Sequence, residues 1–279
     1  MKYLIFGSGY LGNKFLTALG KDASISKADI ANIEQVQTAV EEFRPEVIIN
    51  TAGKTGKPNI DWCEDHKSKT VYSNVTGPLV LAKVAMDKDL KMVHLGSGCI
   101  YFGENKSEFS ENDVPDINNV LSFYSKTKAW SEQILNYFPI LQIRLRMPVD
   151  GEPNPRNLIW KITHYQKVMD KVPNSMTVIP DLIAATTKLI TKGKTGIYNV
   201  VNPGSITHGE ILKLYKEIID PNHTYESISE AELSKLTKAA RSNCLLSTNK
   251  LENEGIVLPE IHERIREILV EYKKQLTID

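Results

Sequence analysis

Gly7, Gly9 and Gly12 spell G-x-G-x-x-G directly after an apolar run, "YLIF", and at the head of an amphipathic stretch that starts at Tyr10. No other feature restricts the fold as much. The first glycine permits a tight turn, the second leaves room for a pyrophosphate against the backbone, and the third lets helix and strand approach closely. The N–H groups exposed at the start of such a helix complete an anion site. Tyr10 and Leu11 lie within the same turn and join the glycines as candidate dinucleotide-binding residues.

The rest of the first half keeps the rhythm that this turn demands. Strand-like runs "YLIF", "ASIS", "EVIIN", "KMVHLGS" and "ILQIRLR" alternate with helical patterns from Tyr10, over Ile33–Phe43, and over residues 74–86 and 125–137. Short connections and strands apolar on both faces predict an α/β fold, a doubly wound parallel sheet of the Rossmann type. Ligands of such sheets bind beyond the carboxyl ends of the strands. After Met147 the character changes: "PVDGEPNPRN" is rich in turn formers, and only short runs such as "MTVIP" and "GIYNVV" follow among helices. The expected division is a dinucleotide-binding domain over residues 1–147 and a smaller, interleaved substrate-binding region over 148–279 that partly returns to the sheet. Thr207, three residues before Glu210, predicts a capping box that opens a helix.

Composition narrows the partners. The 279 residues are 41% apolar, enough for a substantial core. Thirty-four basic residues balance thirty-four acidic ones, so no global field draws the chain to nucleic acid or to a membrane surface. An anionic ligand must be held by local groups. The opening "MKYLIFGSGYLG" has the cadence of a signal peptide, but its glycines break the apolar run too early. No stretch approaches the roughly 20 apolar residues of a membrane span, and a cytoplasmic location is expected. Cys63, Cys99 and Cys244 are too few and too scattered for a disulfide framework. The sequence leaves the oligomeric state open, a homodimer included.

Candidate chemistry falls at the strand ends. About twenty residues beyond the glycine turn, "SKADI" offers Asp29 to the adenosine end of a dinucleotide and Lys27 to a 2′-phosphate, with Ile30 beside them. The reading favours NADPH, with NADH as the alternative. Tyr124 and Lys128 stand at i and i+4 in "YSKTK", on one face of a helix. An ammonium beside a phenol stabilises the phenolate, and the tyrosine can deliver a proton to a carbonyl oxygen as hydride reaches its carbon. Ser97 ends the preceding strand, where its hydroxyl can bond the same oxygen. Tyr10 and Lys14 share the spacing but sit in the glycine turn, where packing and a solvated charge explain them. Cys63 and His66 of "DWCEDH" lack a second pair to complete a four-ligand zinc set, so no metal is expected.

Ser97, Tyr124 and Lys128, with the glycine turn and the "NTAGKTG" after the third strand, resemble the short-chain dehydrogenase/reductase family. That resemblance implies that Asn50, Ala52 and Gly53 line the cofactor and that Asn74 lies near it. The extended, nucleotide-sugar-modifying members fit best, and dTDP-4-dehydrorhamnose reductases are similar in layout. Those usually carry Ser-Thr-Asp where this chain has Ser97-Gly98-Cys99. "TGKPNIDWCEDH", "GCIY", "SFYSKTKA", "RLRMP", "NPRN", "PNSMTV" and "RSN" run in the same order in the bifunctional UDP-4-keto-6-deoxyglucose 3,5-epimerase/4-reductases of plant UDP-rhamnose synthesis.

This closer resemblance, from about Ile49 to Asn243, implies that Cys99 and Lys161 of "LIWKI" exchange protons with the sugar. A ketone at carbon 4 acidifies the hydrogens on carbons 3 and 5, and inversion needs one group to remove a proton and another to return it on the opposite face. A thiol and a lysine lowered by burial suit that work. His164, one turn from Lys161, is the rival donor, because GDP-fucose synthases pair cysteine with histidine in this way. Asn154, Arg156, Asn157, Asn174, Ser175, Met176, Arg241 and Asn243 are the implied contacts to a sugar nucleotide. The competing readings are a plain 4-reductase in which Cys99 only packs, and a dinucleotide-binding regulatory subunit without catalysis.

Overall fold

The computed structural model describes residues 1–102, 108–118 and 122–277. Six strands, β1 (Tyr3–Phe6), β2 (Ala23–Ser26), β3 (Val47–Asn50), β4 (Lys91–Leu95), β5 (Leu141–Arg144) and β6 (Gly196–Asn199), form one parallel sheet in the order β2-β1-β3-β4-β5-β6. The all-buried patterns of β1, β3 and β5 follow from their continuous apolar runs, which require cover on both faces.

That cover comes from helices α1 (Tyr10–Leu19), α2 (Ile33–Phe43), α3 (Gly77–Asp87) and α4 (Phe123–Leu135) and, later in the chain, α6 (Ile179–Thr191), while α5 (Leu158–His164), α7 (His208–Ile218) and α8 (Ile261–Leu276) pack apart from the sheet. On one side Phe15 of α1 and Leu182 and Leu189 of α6 pack against Ile5, Ile49 and Val93. On the other, Val36 and Val40 of α2, Leu81 and Val84 of α3 and Leu135 of α4 cover Leu4 and Ile48. Each such side chain contributes about 1.5–3 kcal/mol when fully buried. The doubly wound sheet expected from the sequence is therefore present. Because β2 lies outside β1 while β3 lies on its other side, the winding reverses between β1 and β3 and opens a crevice at their carboxyl ends.

Two helix boundaries differ from expectation for local reasons. The predicted 74–86 helix begins at Gly77, after a π-helical turn over Tyr72–Thr76. The predicted 125–137 helix begins two residues earlier, because the Ser122 hydroxyl accepts the Ser125 N–H at 3.1 Å and caps it.

A second apolar cluster joins Ile159 and Ile162 of α5, Ile211 and Leu212 of α7 and Ile265 and Leu269 of α8 around Val149 and Met176. The capping box at the head of α7 is formed as expected: Glu210 N–H donates to Thr207 Oγ1 at 3.1 Å, and Thr207 N–H donates to the Glu210 carboxylate at 2.8 Å. Within the first half, Arg144 of β5 donates from Nε and Nη2 to Glu132 of α4 at 2.7 and 2.8 Å, with both side chains almost wholly buried. This fork fixes α4 against the sheet and so sets where Tyr124 and Lys128 lie.

Candidate active site

The glycine turn is shaped by three different constraints. Gly7 has φ +111, and a Cβ there would lie 2.6 Å from the Ala52 nitrogen. A Cβ on Gly12 would collide with the Gly7 carbonyl. Around Gly9 the space is open, with nothing within 4 Å of where a Cβ would be. Gly9 is also the N-cap of α1, no side chain caps the helix, and its first turn holds no acid. Uncapped N–H groups beside an open glycine fit a pyrophosphate.

The loop after β3 closes the other side of this crevice. Thr51 Oγ1 donates to the carbonyls of Phe6 and Gly7, both at 3.0 Å. Asn50 and Asn74, expected to line the cofactor, instead hold that loop from within. The Asn50 Oδ1 accepts the Ala52 N–H at 3.0 Å, and the Asn74 side chain accepts the Lys54 N–H at 2.6 Å and donates to Thr127 Oγ1 at 3.1 Å. Both are buried and their amides are spent on protein partners, leaving Ala52 and Gly53 as the partly exposed backbone of the loop.

At the end of β2, Lys27 and Asp29 are exposed, and Asp29 accepts the Ala31 N–H at 3.0 Å. Ile30, expected beside them, packs its side chain against Gly77 in the core. Tyr10 and Lys14 are a correction, since packing and a solvated charge do not explain them: both bind acidic groups after β5. The Tyr10 phenol donates to Asp150, while Lys14 Nζ lies 2.6 Å from Asp150 and 2.5 Å from Glu152. Burial, then the Asp150 carboxylate, drives the Tyr10 phenol far above its usual range. Its side chain is thus committed to the loop after β5.

The chemical centre lies beyond β4 and β5. Ser97 Oγ accepts the Cys99 N–H at 3.1 Å and caps the 3-10 turn over Gly98–Ile100 that carries the thiol. The phenol of Tyr124 meets this turn. Burial, followed by the electrostatic influence of Cys99, raises it above its ordinary value, while a hydrogen bond with Ser97 pulls it back. The protein alone therefore holds Tyr124 as a phenol at neutral pH. This corrects the expectation of a phenolate stabilised by Lys128. The Lys128 tail runs to the sheet, where Nζ donates to the Leu95 carbonyl at 2.8 Å and lies 3.3 Å from His94 Nε2. Burial lowers its pKa to about 8, against an upward pull from Glu132.

Cys99 is half-buried, and the Arg146 Nη1 lies 3.4 Å from its sulfur. Arg146 is 1% exposed and also donates to Ser242 Oγ at 3.3 Å, to the Ser242 carbonyl and to Asn174 Oδ1. Sequence reasoning missed it. The available signal was the alternation in "RLRMP": Arg144 and Arg146 leave β5 on one face, and a buried arginine requires dedicated partners.

The expected sugar-nucleotide set is largely bonded within the protein. Asn174, Ser175 and Met176 are 0–1% exposed. Asn174 accepts from Arg146 and from the Cys244 N–H at 3.2 Å, Ser175 Oγ accepts the Leu246 N–H at 2.9 Å, and Met176 fills the second core. Asn157 is likewise buried: it caps α5 by accepting the Ile159 N–H at 3.1 Å and donates to the Asp150 carbonyl at 2.7 Å. Asn154 forms a turn by accepting the Arg156 N–H at 2.9 Å, and Asn243 accepts from Asn174 at 3.3 Å. Polar atoms so occupied organise the walls of a site.

The remaining cations are better placed for a ligand. Arg241 Nη1 pairs with Asp61 at 2.9 Å, linking "RSN" to "NIDW". Arg156 is exposed, with Nη1 3.5 Å from the Gly56 carbonyl in the loop after β3. Lys161 is half-buried in α5, and burial, then the Arg156 charge, lowers its pKa. His164 is exposed and stacks on Trp160, with Nδ1 2.7 Å from the Trp160 carbonyl. Cys63 is fully buried with Sγ 3.6 Å from the Lys54 carbonyl, and His66 stacks on Trp62. Among the described residues no group of three or more His, Cys, Asp or Glu could hold a metal, and no helix is long and apolar enough to cross a membrane.

The comparisons with known proteins bear on this geometry. Residues 1–274 match the family described as RmlD substrate binding domain. A bifunctional dTDP-4-dehydrorhamnose 3,5-epimerase/dTDP-4-dehydrorhamnose reductase of Arabidopsis thaliana is 36% identical, over 99% of this chain and 95% of that protein. A trifunctional UDP-glucose 4,6-dehydratase/UDP-4-keto-6-deoxy-D-glucose 3,5-epimerase/UDP-4-keto-L-rhamnose-reductase of the same plant is 37% identical over 99% of this chain, which spans only 43% of that longer protein. Among solved structures, the UDP-rhamnose synthase of Acanthamoeba polyphaga mimivirus superposes with a TM-score of 0.91 at 32% identity, covering 97% of this chain and 99% of that one. A dTDP-4-dehydrorhamnose reductase of Bacillus anthracis in complex with NADP shares the fold, with a TM-score of 0.83 at 23% identity over 97% of this chain and 100% of that one.

Proposed function

The chain belongs to the RmlD substrate-binding-domain family, and from that premise we propose that it is an NADPH-dependent reductase of a nucleotide-linked 4-keto-6-deoxyhexose. We further propose that it epimerises carbons 3 and 5 of the same sugar, converting UDP-4-keto-6-deoxy-D-glucose to UDP-L-rhamnose. The observation that carries this reading is the interaction of three side chains at one strand end: the Tyr124 phenol bonds Ser97 and feels the Cys99 thiol. The names of the plant and viral relatives support the substrate class.

In this reading residues 1–147 hold the dinucleotide and 148–279 hold the sugar nucleotide. Gly9 and the uncapped head of α1 would hold the pyrophosphate, and Lys27 a 2′-phosphate. The nicotinamide, when bound, would supply hydride for carbon 4. Ser97 and Tyr124 both bond the carbonyl oxygen there, which stabilises negative charge during enolate formation as well as reduction. Tyr124, held as a phenol, gives its proton to that oxygen as the alcohol forms.

Epimerisation uses Cys99 on one face of the ring and Lys161 on the other. Arg146 fixes the direction of the sulfur, and burial leaves Lys161 readier to exchange a proton near neutrality. Arg156, exposed, and Arg241, half-buried and paired with Asp61, serve as partners for the diphosphate, a task to which guanidinium forks are suited. A full Ser97, Tyr124 and Lys128 set disfavours a purely regulatory role, because a binding module has no use for a proton donor.

The test is incubation with NADPH and UDP-4-keto-6-deoxyglucose, followed by resolution of the product. UDP-L-rhamnose is expected, with solvent deuterium entering carbons 3 and 5 even without cofactor. Reduction with no deuterium uptake reduces the reading to a plain 4-reductase. A thymidine nucleotide is the second reading, favoured by the name of the 36% identical plant relative. Competition between the two nucleotide sugars ranks them.

A further inference from the structure

Asp150, in the loop after β5, is buried where the head of α1 meets the head of α5. Its Oδ1 accepts from the Tyr10 phenol in the first turn of α1, from the Glu152 N–H at 3.0 Å in its own loop, and from the Asn157 side-chain amide at 3.1 Å. Its Oδ2 lies 2.6 Å from Lys14 Nζ, one turn along α1, and that ammonium also meets Glu152 at 2.5 Å. A buried carboxylate is costly unless charges and hydrogen bonds compensate it, so these directed contacts tie the loop to α1. Behind the loop, a Cβ on Gly151 would come 2.7 Å from Glu271 Cβ, which leaves it no room to retreat toward α8.

Asn157 passes the constraint on to α5. Its NH2 group is shared between the Asp150 carboxylate, the Asp150 carbonyl at 2.7 Å and the Glu152 carbonyl at 2.8 Å. Its Oδ1 caps the helix through the Ile159 N–H, and its own carbonyl accepts the backbone N–H of Lys161 at 3.2 Å. With only seven residues, α5 is too short to be stable without outside support. We propose that Asp150 is a positioning residue for the epimerising amine: held by Tyr10 and Lys14 of α1, it grips the Asn157 cap and so fixes where α5 carries Lys161. The inference rests on the epimerase reading above and deepens it.

The other contacts of α5 do not supply this constraint. Ile159 and Ile162 bury one face in the second core, which decides the side turned inward, but apolar packing is non-directional and permits sliding along the axis. Arg156 is exposed and reaches the Gly56 carbonyl only at 3.5 Å. Ser97, Cys99 and Tyr124 are set from β4 and α4 through contacts of their own, so the clamp acts on the amine and not on the thiol or the phenol.

The test compares two rates at saturating ketosugar: solvent deuterium uptake at carbons 3 and 5 of UDP-4-keto-6-deoxyglucose without dinucleotide, and NADPH reduction of the already epimerised ketosugar. In Asp150→Ala uptake is expected to fall roughly 10–100-fold, the scale of a small misplacement of a reacting group, with reduction nearly unchanged. Asp150→Asn, which returns an acceptor oxygen to Tyr10 and Asn157, should restore most of the uptake. Unchanged uptake overturns the proposal, and so does an equal loss of both rates, the mark of a merely structural role. Tyr10→Phe keeps the ring and removes one donor to Asp150, so it answers the same question if the alanine variant does not fold: a smaller selective loss is expected, and none overturns the proposal. Amide hydrogen exchange reads the clamp without turnover. Faster exchange is expected in α5 of either variant with α4 unaltered, and equal protection of α5 overturns the proposal. A loosened α5 in a protein whose unmutated form takes up no deuterium counts against the epimerase reading instead.

Discussion

Arg146 places its guanidinium 3.4 Å from the sulfur of Cys99, reaching it from the segment after β5 while the thiol stands in the turn after β4. Adjacent strands of a parallel sheet deliver their ends side by side. A cysteine and an arginine 47 positions apart in sequence are thereby joined in one site.

Replacing Arg146 with methionine should be costly in two ways. The half-buried Ser242 carbonyl loses its arginine donor, while Asn174 Oδ1 loses one of two donors and keeps the Cys244 N–H; a buried group left unpaired costs about 1–3 kcal/mol, so the loss should fall at or below that range. The sulfur also loses its anchor. Chemical denaturation should report the first, and slower deuterium uptake at carbons 3 and 5 the second.

Cys99→Ala should abolish that exchange while leaving reduction of an already epimerised ketosugar nearly intact. Persistence of exchange in this variant removes the thiol from the mechanism.

Lys161→Met and His164→Ala separate the two candidate partners of the thiol. Lys161 is half-buried and lowered by its surroundings, whereas His164 is exposed and occupied with Trp160. Loss of epimerisation is expected in the lysine variant and near-normal rates in the histidine one; the opposite pattern reassigns the role.

Tyr124→Phe should lower ketosugar reduction about 10²–10⁴-fold, the usual contribution of a positioned proton donor. Dinucleotide binding, followed by fluorescence, should hardly change.

The glycines predict a contrast between stability and binding. Gly12→Ala drives a methyl group into the Gly7 carbonyl and should lower the melting temperature sharply. Gly9→Ala meets no protein atom, so thermal unfolding should stay near normal while dinucleotide affinity falls. A folded Gly12→Ala with unchanged affinity contradicts the packing account.

The pH dependence of stability can be read at Asp61. Burial alone would raise its carboxyl, but hydrogen bonds from Arg241 and the Ala239 N–H outweigh it and hold it below the usual value. A carboxylate depressed in the folded state stabilises above its unfolded pKa and loses that contribution as pH falls through the folded one. Arg241→Leu should therefore be destabilised at pH about 7, with the difference narrowing below about 4. Equal unfolding curves at both pH values rule out the pair as a contributor.

Much of this protein was legible in one dimension. Alternating apolar strands and helices can be satisfied only by a sheet covered on both faces, and a glycine triplet after the first strand has few geometries open to it. The helix start at Thr207 was readable because a capping box is a local exchange of two hydrogen bonds. The same locality explains why Ser97 and Tyr124 could be nominated from strand-end and helix positions, whereas the role of Cys99 came from the resemblance of the surrounding motifs.

What the sequence left undecided was how buried polar groups spend their hydrogen bonds. Asn157, Asn174 and Ser175 look like ligand donors in a string of letters, yet each has its polar atoms occupied by partners that only folding brings near. Tyr124 and Lys128 share a helix face, but their protonation is set by burial, by Cys99 and Ser97 beside the phenol and by Glu132 beside the lysine, which no spacing encodes. Local pattern determines which elements form because backbone and periodicity are short-range. Protonation and the choice of hydrogen-bond partner depend on desolvation and on residues distant in the chain, so the tertiary structure alone decided them.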